Sequence, residues 1–203
     1  MNAPKGSLRE RGALRFGNTV LGMARTFGVN IDEPILSSYG KPIIQAGFTP
    51  GSRNGSEARI AAITLLNYLS FLNIPRLPAI DPSNVYVLKE ADGVRGATLT
   101  GARWLNRTPG SPMQARYDTI GSNHQYDPNG PDAFMITGGE AVLDNMHIEN
   151  AVFRDVHVVY RGAPLDMKSV WFVNCTFDVT AGPRGQQFAD SMLASAPASL
   201  RTS

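Results

Sequence analysis

Residues 141–160 read Ala141-Val-Leu-Asp-Asn, Met146-His-Ile-Glu-Asn, Ala151-Val-Phe-Arg-Asp, Val156-His-Val-Val-Tyr, four blocks of five without a gap. After Arg161-Gly-Ala-Pro164 come three more: Leu165-Asp-Met-Lys-Ser, Val170-Trp-Phe-Val-Asn and Cys175-Thr-Phe-Asp-Val. Each block is apolar at its first and third positions, and the fifth is Asn, Asp or Ser in five of the seven. A helix repeats its apolar face every 3.6 residues and a strand every second residue. A period of five fits neither over a long run. It fits a chain that runs briefly as strand, turns a corner and repeats. Asn and Asp suit such corners because they tolerate left-handed backbone angles and bond to nearby backbone. Successive turns then stack, and their inward side chains form ladders. The expected inward set is Ala141, Leu143, Met146, Ile148, Ala151, Phe153, Val156 and Val158, then Leu165, Met167, Val170, Phe172, Cys175 and Phe177.

Two further blocks lie upstream, Ala97-Thr-Leu-Thr-Gly and Ala102-Arg-Trp-Leu-Asn. With them the run resembles the pentapeptide-repeat family, whose pattern is a small residue, a polar one, then Leu or Phe. The resemblance implies a right-handed, four-sided β-helix with about one pentad per face. The stretch from Val152 to Val179, with Arg161-Gly-Ala-Pro-Leu and Val173-Asn-Cys-Thr-Phe, is also similar to a β-helical tail of uncharacterised bacterial proteins. Neither resemblance carries an active site. Repeat coils cannot bury their own ends, so another element must cover the stack.

Working outward, residues 7–27 read as a helix opened by a capping box at Ser7-Leu-Arg-Glu10. Leu14, Phe16, Val20, Leu21, Ala24 and Phe27 are expected on one stripe, and Gly28 stops it. Residues 29–55 read as connector, being punctuated by Asp32-Glu33-Pro34, Tyr39-Gly40-Lys41-Pro42 and Thr49-Pro50-Gly51. A second helix is expected over 57–73, capped by Ser56, with Thr64, Asn67 and Ser70 as its polar stripe. Val85-Tyr-Val-Leu reads as a strand, 107–132 as a loop excursion, and Phe134-Met-Ile-Thr-Gly-Gly as the lead into the pentads. Pro183 can start a short helix carrying Phe188, Met192 and Leu193, and the tail from Ser195 reads as flexible.

The fold class expected is α+β: N-terminal helices followed by a short right-handed parallel β-helix (solenoid) capped by a C-terminal helix. The domains are a helical region 1–80, a β-helix 81–182 with its excursion at 107–132, and a capping helix with flexible tail 183–203.

Chemistry is scarce. A formal net charge of +2 gives no strong pull toward nucleic acid or membrane. The lone Cys175 excludes an intrachain disulfide and falls at an inward position. No compact signal-peptide core opens the chain, and a cytoplasmic setting is expected. His147 and His157 sit at outward second positions on different faces. His124 lies in the long loop with Tyr126 and Asp127. The outward charges Asp144, Glu149, Arg154, Asp155, Asp166, Lys168 and Asp178 read as a solvated face. Residues 141–179 carry too mild a negative charge to imitate DNA, and the basic helix with Arg9, Arg11, Arg15 and Arg25 lacks the aromatic interleaving of a nucleic-acid binder.

No residue is assigned as catalytic, cofactor-binding or metal-binding, and no cofactor is expected. The preferred role is a non-enzymatic structural or protein-interaction module. Its partner is a protein or a second copy, met through a β-helix face where Val152, Val159, Trp171 and Val173 stand at outward positions. The alternatives are a carbohydrate-active β-helix enzyme using Asp144, Asp166 and His124, or a membrane-associated protein using helix 57–73.

Overall fold

The computed structural model describes residues 5–52, 55–76, 80, 85–87, 98–100 and 134–202. Among them the chain is α+β, with four α-helices and two sheets. The helices are α1 (Lys5–Phe27), α2 (Glu33–Phe48), α3 (Gly55–Leu72) and α4 (Pro183–Ala194), with a short 3-10 turn at Ile74–Arg76. The strands are β1 (Val85–Val87), β2 (Thr98–Thr100), β3 (Phe134–Thr137), β4 (Glu140–Val142), β5 (Met146–Arg154), β6 (His157–Tyr160), β7 (Leu165–Val173), β8 (Thr176–Val179) and β9 (Ala198–Arg201). The excursion 107–132, most of the Ala97 and Ala102 pentads, and the side chains of the Ser7–Glu10 capping box lie outside the described residues.

Strands alternate between the sheets. The order β1-β3-β5-β7-β9 makes one sheet and β2-β4-β6-β8 the other. All pairings are parallel except β7 with β9, which is antiparallel. In β5 and β7 the partners stand nineteen residues apart in sequence, as with Ala151 opposite Val170 and Phe153 opposite Phe172.

The pentad positions behave as their chemistry demands. Every first- and third-position side chain from Ala141 to Phe177 is buried in the one main core. The non-glycine residues with positive φ are Asn145, Asn150, Asp155, Ser169 and Asn174, which are the polar fifth positions of the pentads. At the corner between β5 and β6, Asn174 Nδ2 donates to Asp155 Oδ1 at 2.6 Å, so one corner residue hangs from the next. The rings of Phe153 and Phe172 stack at 5.5 Å and 14°.

The pentapeptide-repeat resemblance is not sustained. β5 and β7 run for nine residues each, straight through a pentad boundary that the four-sided coil would turn at. The strands form two separate sheets, one mixed and one parallel, rather than a closed four-faced barrel. Corner residues at Asn150 and Ser169 take left-handed angles within strands, kinking them without ending them.

Three elements finish the two sheets. The free edge of β8 is covered by α3, which runs antiparallel to it. Asn67 Oδ1 accepts the Phe177 N–H at 3.1 Å, and Ser70 Oγ accepts the Cys175 N–H at 2.7 Å. Asn73 Nδ2 donates to the Phe172 carbonyl at 3.0 Å, and Arg59 donates to the Val179 carbonyl at 2.6 Å. The polar stripe expected at Thr64, Asn67 and Ser70 is therefore a ladder of partners for unpaired peptide groups, save that Thr64 bonds the Asn18 side chain of α1. The free edge of β7 is covered by β9, where a flexible tail was expected; Thr202 continues the cover by bonding both the N–H and carbonyl of Leu165. Finally, α4 plugs the interior with Phe188, whose ring lies within 6.1 Å of Tyr160, Phe172 and Phe177.

The expected connector 29–55 instead contains α2. Its Pro34 lies in the first turn, where a missing N–H costs nothing. Pro42 is tolerated inside because Leu36, Ile44 and Phe48 are buried. The glycines read as breakers are contact points: a Cβ on Gly47 would stand 2.7 Å from the Ala58 carbonyl oxygen, and one on Gly40 would press on Leu65 and Leu193. Tyr68 fixes the α1–α2 link by accepting the Ile31 N–H at 2.7 Å and donating to the Val29 carbonyl at 2.6 Å.

Three consequences are measurable by urea unfolding. Ser70→Ala leaves the buried Cys175 N–H without a partner and is expected to destabilise by about 1–3 kcal/mol, against less than about 0.5 kcal/mol for Ser38→Ala on exposed α2 surface. Gly47→Ala is expected to destabilise by about 1–3 kcal/mol through the clash with Ala58. Gly22→Ala, with open space at its Cβ, is expected to stabilise α1 by about 0.5–1 kcal/mol.

Candidate functional site

The outward faces of the strands carry most of the polar side chains of the described β residues. There the polar side chains pair down the columns. His147 on β5 faces Asp166 on β7, Nδ1 to Oδ2 at 3.1 Å, and Asp166 also stands 3.7 Å from Arg201 on β9. The other ring nitrogen of His147 is 3.5 Å from Glu149. On the second sheet His157 pairs with Thr176 at 3.0 Å. The two histidines thus lie on different sheets, one on β5 and one on β6. Among the described residues no three His, Cys, Asp or Glu side chains converge as a metal site would require.

Asp144 and Asp166, paired in the carbohydrate-enzyme alternative, have separate partners. Asp144 accepts the backbone N–H groups of Arg161 and Ala163 at 2.9 and 2.8 Å. It braces the four-residue interruption between the pentad runs, together with Tyr160, which donates to the Ala163 carbonyl, and Arg184, which donates to that of Gly162. Asp166 belongs to the His147 column. His124, with Tyr126 and Asp127, lies outside the described residues.

Two of the apolar outward positions are covered from within the chain. Val152 and Val173 are 0% and 1% exposed and pack with Met135, Trp171 and Ile80, the last from the segment before β1. Helix 57–73, the membrane alternative, appears as α3 with Ala58, Ala61, Ala62, Leu65, Leu66 and Tyr68 buried in the protein. Among the described residues no helix is long and apolar enough to cross a membrane.

A cleft of about 340 Å³ opens where the α1–α2 link and α2 meet the ends of α3 and α4. Leu36, Leu72 and Met192 line its floor; Asp32 and Glu33 stand at its acidic rim. Among the described residues no histidine, cysteine, lysine or arginine lines it. Such a surface can hold a small apolar group with a cationic end, and it offers no nucleophile–base pair. The sequence hid this cleft because it depends on α2.

A second feature is the outer face of α1. The residues expected on one stripe divide into two. Leu21 and Ala24 are buried against the core, while Phe16 is 72% and Phe27 71% exposed with Val20 between them, and Met23, not expected on the stripe, joins them at 53%. A helical projection separates positions 16, 20, 23 and 27 from 14, 17, 21 and 24, and that signal was present in the sequence.

Cys175 is buried, its Sγ donating to the Phe153 carbonyl at 3.2 Å. Burial pushes its thiol up from 9.0 to about 11, so it is neither thiolate nor accessible at neutral pH.

The chain matches no protein-family model, no curated protein and no solved structure.

The Cys175 shift has a pH signature. The unfolded chain ionises this thiol at lower pH than the native one does, so between pH 9 and about 11 the native state binds more protons and its stability falls as pH rises. Urea unfolding across that window is expected to lose about 2 kcal/mol more in the wild type than in Cys175→Ala by the upper end. The comparison removes the similar alkaline contribution of Tyr68 and Tyr160, whose hydroxyls burial also pushes up.

Proposed function

We propose that this protein is a non-enzymatic interaction module. The two sheets, read as one short open coil passing alternately between them, serve as a rigid platform that presents helices α1–α3. The observation carrying this reading is the contrast between two surfaces. Outward polar side chains on the strands pair with one another or brace backbone. The outer face of α1 is instead an apolar stripe in contact with solvent. Contiguous exposed apolar surface of that kind marks a place where another molecule docks.

The separate partners of Asp144, which braces backbone, and Asp166, which pairs with His147, disfavour the polysaccharide reading, because glycoside cleavage needs two carboxyl groups facing one bond. Affinity electrophoresis in gels containing polygalacturonate or alginate is expected to leave mobility unchanged; retardation by either polymer would overturn the reading. A photo-cross-linking residue placed at Phe16 is expected to give a discrete protein adduct in the producing cells, and one at Lys168 is expected to give none.

A further inference from the structure

We propose that the outer stripe of α1 pairs antiparallel with the same stripe of a second copy of this chain, a partner assignment that rests on the interaction-module reading above.

The spacing supports it. Phe16, Val20, Met23 and Phe27 follow one another at intervals of four, three and four, which is the seam of a two-helix coiled pair. The seam is self-complementary about a point midway between Val20 and Met23. An antiparallel two-fold axis there sets Phe16 against Phe27 of the other copy, and Val20 against Met23. A two-fold interface requires this of one patch, that it match itself.

The polar groups beside the seam are already satisfied. Thr19 Oγ1 donates to the Arg15 carbonyl and Thr26 Oγ1 to the Gly22 carbonyl, each at 3.0 Å. Arg25 is turned to the opposite side, where it donates to Asn174 Oδ1 at 3.1 Å. Covering the stripe therefore strands neither threonine hydroxyl and leaves Arg25 in place, sparing costs that usually oppose such docking.

Charge selects the direction. The sequence of the first half of α1 carries Lys5, Arg9, Arg11 and Arg15, and beyond its C-terminal end α2 opens with Asp32 and Glu33. An antiparallel pair carries the basic half of one helix past Phe27 of the other, toward that acidic turn. A parallel pair sets two basic halves side by side. An anionic lipid surface would attract the basic half and repel the acidic turn, so lipid fits the charge pattern less well.

Four side chains per copy make a small interface, at or below the roughly 1,200 Å² of weak, specific complexes. The dimer is accordingly expected at micromolar to submillimolar chain. Sedimentation equilibrium of the full chain up to about 500 µM should show reversible dimerisation, weakened at least about tenfold by Val20→Glu with an unchanged melting temperature. Mixing Phe16→Cys and Phe27→Cys proteins under mild oxidation should favour the 16–27 disulfide over the 16–16 product; buried Cys175 stays out of the exchange. A strict monomer over that range, a dimer indifferent to Val20→Glu, or a dominant 16–16 product would each overturn the proposal. So would a monomer that binds phosphatidylserine vesicles through Phe16. A strict monomer that still gives a discrete adduct with a different protein at Phe16 would overturn the dimer and leave the module reading standing, whereas no protein adduct at all at Phe16 would overturn the module reading itself.

Discussion

Everything in this structure depends on how the last parallel strand is closed. A strand at a sheet edge presents peptide N–H and carbonyl groups that either meet water, pair with another chain, or are answered from within. Here β8 is answered by a helix rather than by another strand. Arg59 and Asn67 of α3 meet Val179 and Phe177 of β8, Ser70 meets Cys175 just before it, and Asn73, one residue past α3, meets Phe172 of β7, so polar side chains follow the chain from β8 back across the corner. The same helix offers Ala58, Ala61, Ala62, Leu65 and Leu66 to the other helices and to the core. A single element thus joins the β layers to the helical layers, and its two jobs fix its register. Sliding α3 by one residue would misplace the amides and the apolar face together.

That bond set explains why the helices and strands share one core instead of folding as separate units. Leu21 and Ala24 of α1, Ile44 and Phe48 of α2, and Phe188 of α4 join the pentad side chains in the same cluster. The Phe48 carbonyl accepts the Gly182 N–H at 2.9 Å, pinning the end of α2 to the start of α4. The described residues of the regions 1–80, 81–182 and 183–203 are therefore joined by contacts far apart in sequence, which gives the fold long loops to close.

Much of the β architecture was legible because it is local. An Asn or Asp at every fifth place needs only its own backbone to take a left-handed angle, and the side chains between alternate inward on any stack of short strands. What was not legible is what long-range packing decides. The glycines and prolines of 33–48 signal a loop by local preference; their use as close-approach points needs α3 and α4 in place. The stripe at Asn67 and Ser70 was visible, but its partners lie 110 and 105 residues away. Whether each pentad turns a corner was likewise beyond reach, since a pentad can end a strand or merely kink it, and β5 and β7 take the second course. The exposed seam of α1 could be read only after its buried neighbours Leu21 and Ala24 had been told apart from it.

The antiparallel β9 has a wider meaning. Parallel stacking is translational: each added layer exposes an edge like the one it covered, so nothing intrinsic stops growth. Reversing the chain direction for a single strand breaks that repetition, and Thr202 locks the reversal onto Leu165. Loss of those few terminal residues would reopen an edge competent to recruit copies of itself, turning a finite protein into the seed of a fibre.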